Sequence, residues 1–342
     1  MQQGKSSMNS STVCASIVAS LCAALALASL QAMAAKPGGG GTTDPCATTT
    51  EFVFPAFTYR QVSGKDQIIY VADASGKCSR TVYKTSNNVG SLGAGAFSYP
   101  VRKGTIDVGR VVWPDGNAIW GIDFTVTGSS IQVGPKWKVY EGFLTSLDLS
   151  KDGNTLYVGG YDQNDRPAIK AVTIDTASTT FLYVGATGGS FFYTLDAGDT
   201  ALYADLSLPA NTGHELMQFS LPCVGSCSSV IAANAAPVFP TASPTASYAM
   251  PIVAYSDYLA GSNNCWQLKY LDVSGGSPVP IFAGVQPRYG TRSSWHGNQV
   301  LTNGRNSPDG SGRCADTGMV TQVDPATGAE TPLVRGYDPD GR

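Results

Sequence analysis

The sequence predicts an all-β fold assembled from small antiparallel sheets. Three observations carry this. A short hairpin grammar recurs along the chain. Beyond the N-terminal leader, no stretch holds a helical period with caps. Six cysteines remain once that leader is set aside, an even number that suits a disulfide-stabilised exported chain.

The leader comes first. The chain has 342 residues, a formal net charge of −3 and only 14% charged residues. That length holds one large all-β domain or two ordinary ones. The mild acidity argues against a nucleic-acid binder, which needs a surplus of Lys and Arg on one face. Lys5 gives a positive start, Val13 to Leu30 carries no charge, and Ala32-Met33-Ala34 matches a small-x-small cleavage site. Residues 1–34 are therefore expected to be a cleaved signal peptide; the alternative for the same run is a transmembrane span. Neither Cys14 nor Cys22 follows a small residue, which argues against a lipid anchor. Residues 35–45, with Gly38 to Gly41, read as a flexible tether. Residues 46–342 read as a single domain, and nothing in them is apolar enough to span a bilayer after the signal is removed.

The repeat gives the architecture. LDLSKDGNTLYVGG (147–160), VVWPDGNAIWGIDF (111–124) and FYTLDAGDTALYADL (192–206) each hold an apolar strand, a polar turn and a second apolar strand. Asp, Gly and Asn tolerate the left-handed backbone of a tight hairpin, and the alternating flanks make half-buried strands. With Ile69, Ile119, Leu156, Leu202, Val253 and Val300 as equivalent points, the spacings are 50, 37, 46, 51 and 47. A second signature, AVTIDTAST (171–179), KYLDVSGG (269–276) and TQVDPATG (321–328), ends a strand in Asp before a small-residue turn. Four strands per unit of this length, repeated, is the signature of a β-propeller. The expectation is six blades, at 55–95, 96–142, 143–188, 189–241, 242–284 and 285–336, with seven as the alternative. Glu51-Phe52-Val53-Phe54 is expected to close the ring as an outer strand of the last blade. Tyr337 to Gly341 reads either as the start of a further unit, as a partner at the closure, or as a frayed tail.

Six cysteines allow 15 pairings. Cys223 and Cys227, close in CVGSC, are expected to pair. Cys265 and Cys314 begin the third strands of neighbouring blades and are expected to join them. Cys46 with Cys78 then ties down the N-terminus. Zinc would need more nearby ligands than His214 and His296 supply.

Asp115-Gly116-Asn117, Asp152-Gly153-Asn154 and Pro339-Asp340-Gly341, each beside a strand, together with the Ile/Leu/Val-Asp-x-Ala/Ser turns, resemble the WD40-like repeats of six-bladed TolB-type propellers. The resemblance covers residues 55–336 and implies architecture. It departs from the family at Asn306-Ser307-Pro308-Asp309-Gly310, which follows a second strand instead of preceding one. Propellers of this kind host scaffolds, lyases and peptidase partner domains, so fold does not supply function.

Catalytic constellations are scarce. His214 opens a strand and reads as a surface or blade-edge residue. His296 lies beside Ser293, Ser294 and Trp295, but adjacent residues of a strand face opposite ways, which works against a Ser/His pair. Glu141 precedes the innermost strand of the third blade and is the carboxylate expected to look into the channel. Six-bladed calcium-dependent hydrolases of the lactonase kind hold a channel metal with Glu, Asn and Asp, and by that likeness Glu141 with Asn87, Asn88 and Asn211 forms a calcium alternative. Asp162-Gln163-Asn164-Asp165 and Asp309-Gly310 lack EF-hand spacing and read as polar turns. Of the aromatic residues, Trp113 and Trp120 are expected in the core. Tyr161, Trp295 and His296 are the expected binding residues, with Trp295 exposed. The function expected is an exported, monomeric binding or scaffold module, periplasmic or extracellular, for a protein or glycan through turns 161–167, 209–214 and 303–316, with no cofactor. The alternative is a calcium-dependent hydrolase or lyase working in the channel, with Glu141 and His296 as its catalytic candidates.

Overall fold

A computed structural model describes residue 46 and residues 51–86, 95–186, 189–223, 226–234, 241–242, 252–258, 265–272, 279–280 and 290–341. The calls on the signal peptide and tether, and on Asn87 and Asn88, lie outside the described residues. Residues 44–342 form one compact unit.

Among the described residues the strands make five four-stranded sheets and one five-stranded sheet, each antiparallel throughout. The first sheet holds β1 (Phe57–Ser63), β2 (Asp66–Ala72) and β3 (Ser79–Thr85). The second holds β4 (Ala96–Lys103), β5 (Ile106–Asp115), β6 (Ala118–Thr127), β7 (Ser130–Val133) and β8 (Trp137–Glu141). The third is β9 (Ser146–Leu149), β10 (Thr155–Tyr161), β11 (Pro167–Thr173) and β12 (Ser178–Val184). The fourth is β13 (Phe191–Ala197), β14 (Ala201–Ser207), β15 (His214–Ser220) and β16 (Ser228–Asn234). The fifth is β17 (Thr241–Ala242), β18 (Ile252–Tyr258), β19 (Trp266–Asp272) and β20 (Val279–Pro280). The sixth is β21 (Gly290–His296), β22 (Gln299–Arg305), β23 (Asp316–Val323) and β24 (Glu330–Arg335). The last strand, β25 (Tyr337–Gly341), joins the first sheet beside β1. Successive innermost strands, β25, β4, β9, β13, β17 and β21, pack against one another around the axis, and β21 returns to β25. This is a β-propeller.

Three expectations are corrected. Residues 51–54 form no strand. The ring closes instead through β25, which pairs Thr58 with Asp340 as the innermost strand of the first sheet. The seventh-unit reading of the tail goes with it, because those residues complete an existing sheet. Thirdly, the hairpin grammar slips phase. Asp115-Gly116-Asn117 joins the second and third strands of its sheet, whereas Asp152-Gly153-Asn154 joins the first and second. The marker points in the first two sheets therefore sit one strand further out, which accounts for the short spacing of 37 residues. Both turns hold glycine at positive φ, +65° at Gly116 and +67° at Gly153, so each attracts the same short sequence whatever its place in the sheet.

The five-stranded sheet follows from a break in its outer edge. β7 pairs with the Phe124–Thr127 half of β6 and β8 with the Ala118–Gly121 half. Lys136, in the break, lies 4.0 Å from the Trp120 ring centroid and 4.7 Å from that of Tyr83. Trp113 beneath is fully buried against Tyr83, as expected of a core residue.

Polar side chains of the two inner strands stitch several sheets to their neighbours. The Ala197 N–H donates to Asp148 Oδ2 at 2.6 Å, from the fourth sheet to the third. The Phe97 N–H donates to Asp340 Oδ2 at 2.5 Å, from the second sheet to the first. Ser294 Oγ donates to Asp340 Oδ1 at 3.1 Å and accepts from the Gly341 N–H at 2.9 Å, joining the sixth sheet to the first. Arg110, 1% exposed, pairs bidentately with Asp123 and donates to Gly153 O at 2.7 Å, joining the second sheet to the third. A buried carboxylate demands such donors, because leaving it unpaired is costly. The disulfides are Cys46–Cys78, Cys223–Cys227 and Cys265–Cys314, the pairing expected from the sequence. The last ties the fifth sheet to the sixth. Among the described residues no helix is long and apolar enough to cross a membrane.

Candidate binding face

Antiparallel order puts the start of every innermost strand at the same edge as the turn joining the second and third strands. In the fourth sheet the register shows this directly, with Phe191 opposite Ser207 and Ser207 opposite His214. Turns 161–167, 209–214 and 303–316 therefore lie on one face of the propeller.

Aromatic side chains gather there on the third and fourth sheets. Tyr161, half-buried at the end of β10, packs 5.5 Å from Phe143, which is 62% exposed. Beside them, on the next sheet, Phe191 and Tyr193 have centroids 6.1 Å apart. The two sheets meet closely at Gly159, where a Cβ would lie 2.9 Å from Phe192 Cβ and run into Ser146 Oγ. Only glycine fits that contact. Tyr193 is 38% exposed because the strand bulges there: Phe192 pairs with Leu206, Thr194 with Asp205, and Tyr193 is the extra residue between. A bulge re-aims one side chain without disturbing the rest of the sheet.

Under Tyr193 lies a buried pair. Every residue of β14 is buried, including Asp205. Its carboxylate accepts from His214 Nδ1–H, at 2.8 Å to Oδ1 and 3.1 Å to Oδ2. His214 is 6% exposed, and the Tyr193 ring meets its imidazole edge-on at 6.1 Å. Its reading as a surface residue is thus corrected: it opens a strand, but faces an inward carboxylate. Nε2 has no partner among the described residues and is not closed off from solvent.

The turns themselves are self-contained. Asp162 accepts from the N–H groups of Asn164 and Arg166 and bidentately from the Arg166 guanidinium, which holds its carboxyl down to about 2. Asp309 repeats the scheme in the sixth sheet, accepting from Ser311 Oγ and the Ser311 and Arg313 N–H groups, which also lower its pKa. With their oxygens aimed at their own loops, these carboxylates act as turn-formers. Among the described residues no group of three or more His, Cys, Asp or Glu is arranged to hold a metal ion. A cavity of about 300 Å³ lies between the fifth and sixth sheets, with Leu268 and Met319 beside Thr302, Thr321 and Arg305.

The other site residues expected from sequence sit elsewhere. Glu141 ends β8 on the outer edge of the second sheet, not at the channel. It is exposed and paired with Lys138 at 2.6 Å, which lowers its pKa. The side chain of Asn211 lies outside the described residues. Trp295 is 5% exposed, correcting its expected exposure: β21 is an innermost strand, flanked on both sides by sheets. His296 is 3% exposed at the opposite edge, with its ring edge-on to Phe57 at 5.4 Å. Burial lowers its pKa, opposed by the Ala74 and Ala56 backbone and by Asp73. So Tyr161 alone of the expected binding residues reaches the face, and Phe143, Phe191, Tyr193 and the Asp205–His214 pair were missed. One signal was available: an Asp inside the apolar run ALYADLS must be paired if that strand is buried on both sides.

No protein-family model matches the chain, and no curated protein sequence matches it. Solved structures do resemble it. TolB from Acinetobacter baumannii aligns with a TM-score of 0.54 and 12% identity, over 84% of this chain and 66% of that one. This chain therefore spans just under two thirds of that TolB chain. A putative TolB from Agrobacterium tumefaciens aligns with a TM-score of 0.51 and 12% identity, over 75% of this chain and 84% of the other. At such identities the likeness is one of fold: the chain has a TolB-like β-propeller.

Proposed function

We propose that the protein is an exported, monomeric six-bladed propeller that works as a binding or scaffold module for a protein or glycan, in the envelope or outside the cell. The observation that carries this is the aromatic face: Phe143, Tyr161, Phe191 and Tyr193 clustered where the second-to-third turns of adjacent sheets meet. Aromatic groups on strands (Tyr161, Phe191, Tyr193) and in the connection before β9 (Phe143) give contact area at little entropic cost. Three disulfides and the leader at residues 1–34 support export. The reading calls for no cofactor. The channel hydrolase or lyase loses its carboxylate, because Glu141 lies on an outer edge.

The test is retention of partners from an envelope extract on the immobilised protein, beside a Phe143→Ser/Tyr161→Ser variant. Specific retention that the variant loses is expected. No retention, or equal retention by both, contradicts the reading.

A further inference from the structure

Resting on that binding reading, we infer that Phe191, Tyr193 and the Asp205–His214 pair form a subsite for one uncharged, hydroxyl-bearing ring, the chemistry of a neutral saccharide. Four features lead there. The bulge in β13 turns Tyr193 outward on the innermost strand, at the mouth of the channel. Phe191 lies 6.1 Å from it, so two rings present an apolar surface on which the C–H face of a pyranose can rest. Beneath them, Asp205 is wholly buried and accepts from Nδ1. The neutral imidazole must then carry its proton on Nδ1, which leaves Nε2 as an acceptor. His214 is nine-tenths buried, so that acceptor is held in a fixed direction, and among the described residues nothing occupies it.

The charges choose between ligands. The Asp205 carboxylate is spent on His214. On the neighbouring sheet's turn Asp162 is paired with Arg166, and Asp165 between them stands exposed to solvent. Among the described residues the Asp205–His214 pair offers a phosphate or an acidic peptide no cation, and the carboxylate beneath the two rings is already engaged by His214. A hydroxyl donating to Nε2, with its ring stacked on Tyr193, satisfies what the site offers: an apolar surface with few, well-placed polar groups.

Chitotetraose, cellotetraose and maltotetraose are the probes, titrated into the full protein by calorimetry and by ring ¹H–¹⁵N spectra. The chain has only two histidines, so His214 is readily assigned. At least one oligosaccharide should bind and shift the His214 Nε2 resonance while leaving His296 unmoved. Its affinity should fall about tenfold or more in His214→Phe and in Tyr193→Ala. The second substitution is at a partly exposed side chain and should lower the melting temperature by no more than a few degrees, with the fold retained. No binding by any of the three at millimolar concentration, binding without a His214 shift, or unchanged affinity in Tyr193→Ala overturns the subsite. Partner retention that depends on Phe143 and Tyr161 alongside such a failure would overturn the saccharide subsite and leave the binding module standing.

Discussion

Two regions of this propeller bury an aspartate on or beside an innermost strand, and they use it differently. At the ring closure Asp340 accepts from the Phe97 backbone N–H and from Ser294 Oγ, groups of two other sheets. In the fourth sheet Asp205 accepts from a side chain of its own sheet, His214. The first arrangement spends the carboxylate on backbone that must be held. The second spends it on a ring whose far nitrogen stays available. Burial alone does not separate a structural carboxylate from a positioning one; the identity of the donor does.

The comparison can be broken at its structural end first. Arg110→Ala leaves Asp123 deprived of its buried partner, and loss of one member of such a pair costs about 3–5 kcal/mol. Lys103 also reaches Asp123, which softens the loss. Chemical denaturation should show the drop, with the aromatic face still competent to bind. Asp340→Ala removes the buried acceptor of the Phe97 N–H, at about 1–3 kcal/mol, while the Ser294 hydroxyl keeps Gly341 O as its acceptor. A melting temperature within a degree of the wild type would mean that the closure is held by other contacts.

A smaller effect follows from His296. Its folded pKa lies below the ordinary 6.5 because burial disfavours the cation. The unfolded chain therefore binds more protons below that pH, and stability falls as the pH drops from about 6.5 toward the folded value. Above 6.5 the group contributes no pH dependence. Melting at pH 7.5 and 5.5 should show the fall in the wild type and less of it in His296→Gln. Equal slopes would remove His296 as the cause. The smallest effect expected is that of calcium. A site loaded at a hundred times its dissociation constant adds roughly 2.7 kcal/mol. With Asp162 and Asp309 committed to their own turns, calcium followed by chelator should leave the melting temperature where it was. A shift of several degrees would place a metal site elsewhere in the chain.

Much of the architecture was legible because it is written in local chemistry. Asp-Gly-Asn turns and alternating strands mark hairpins, and hairpins at regular spacing mark sheets. What they do not mark is phase, since Gly116 and Gly153 answer the same conformational demand in different connections. The closure is half legible: Tyr337–Gly341 reads as a partner there, but nothing in its local sequence marks it as an innermost strand. The binding face was mostly illegible. Trp295 and His296 look chemically active in sequence, yet a strand flanked by two sheets hides both. Tyr193 is exposed only through a bulge, and no local pattern announces one. Asp205 was the exception, an acid in a run otherwise fit for a buried strand.

The most direct test of the difference between the two aspartates is the tautomer of His214, read from the ring ¹H–¹⁵N spectrum of the full protein at neutral pH. A positioning carboxylate at Asp205 requires a proton fixed on Nδ1 and a bare Nε2. A proton on Nε2, or the averaged signature of a free imidazole, would contradict it and return Asp205 to the same structural class as Asp340.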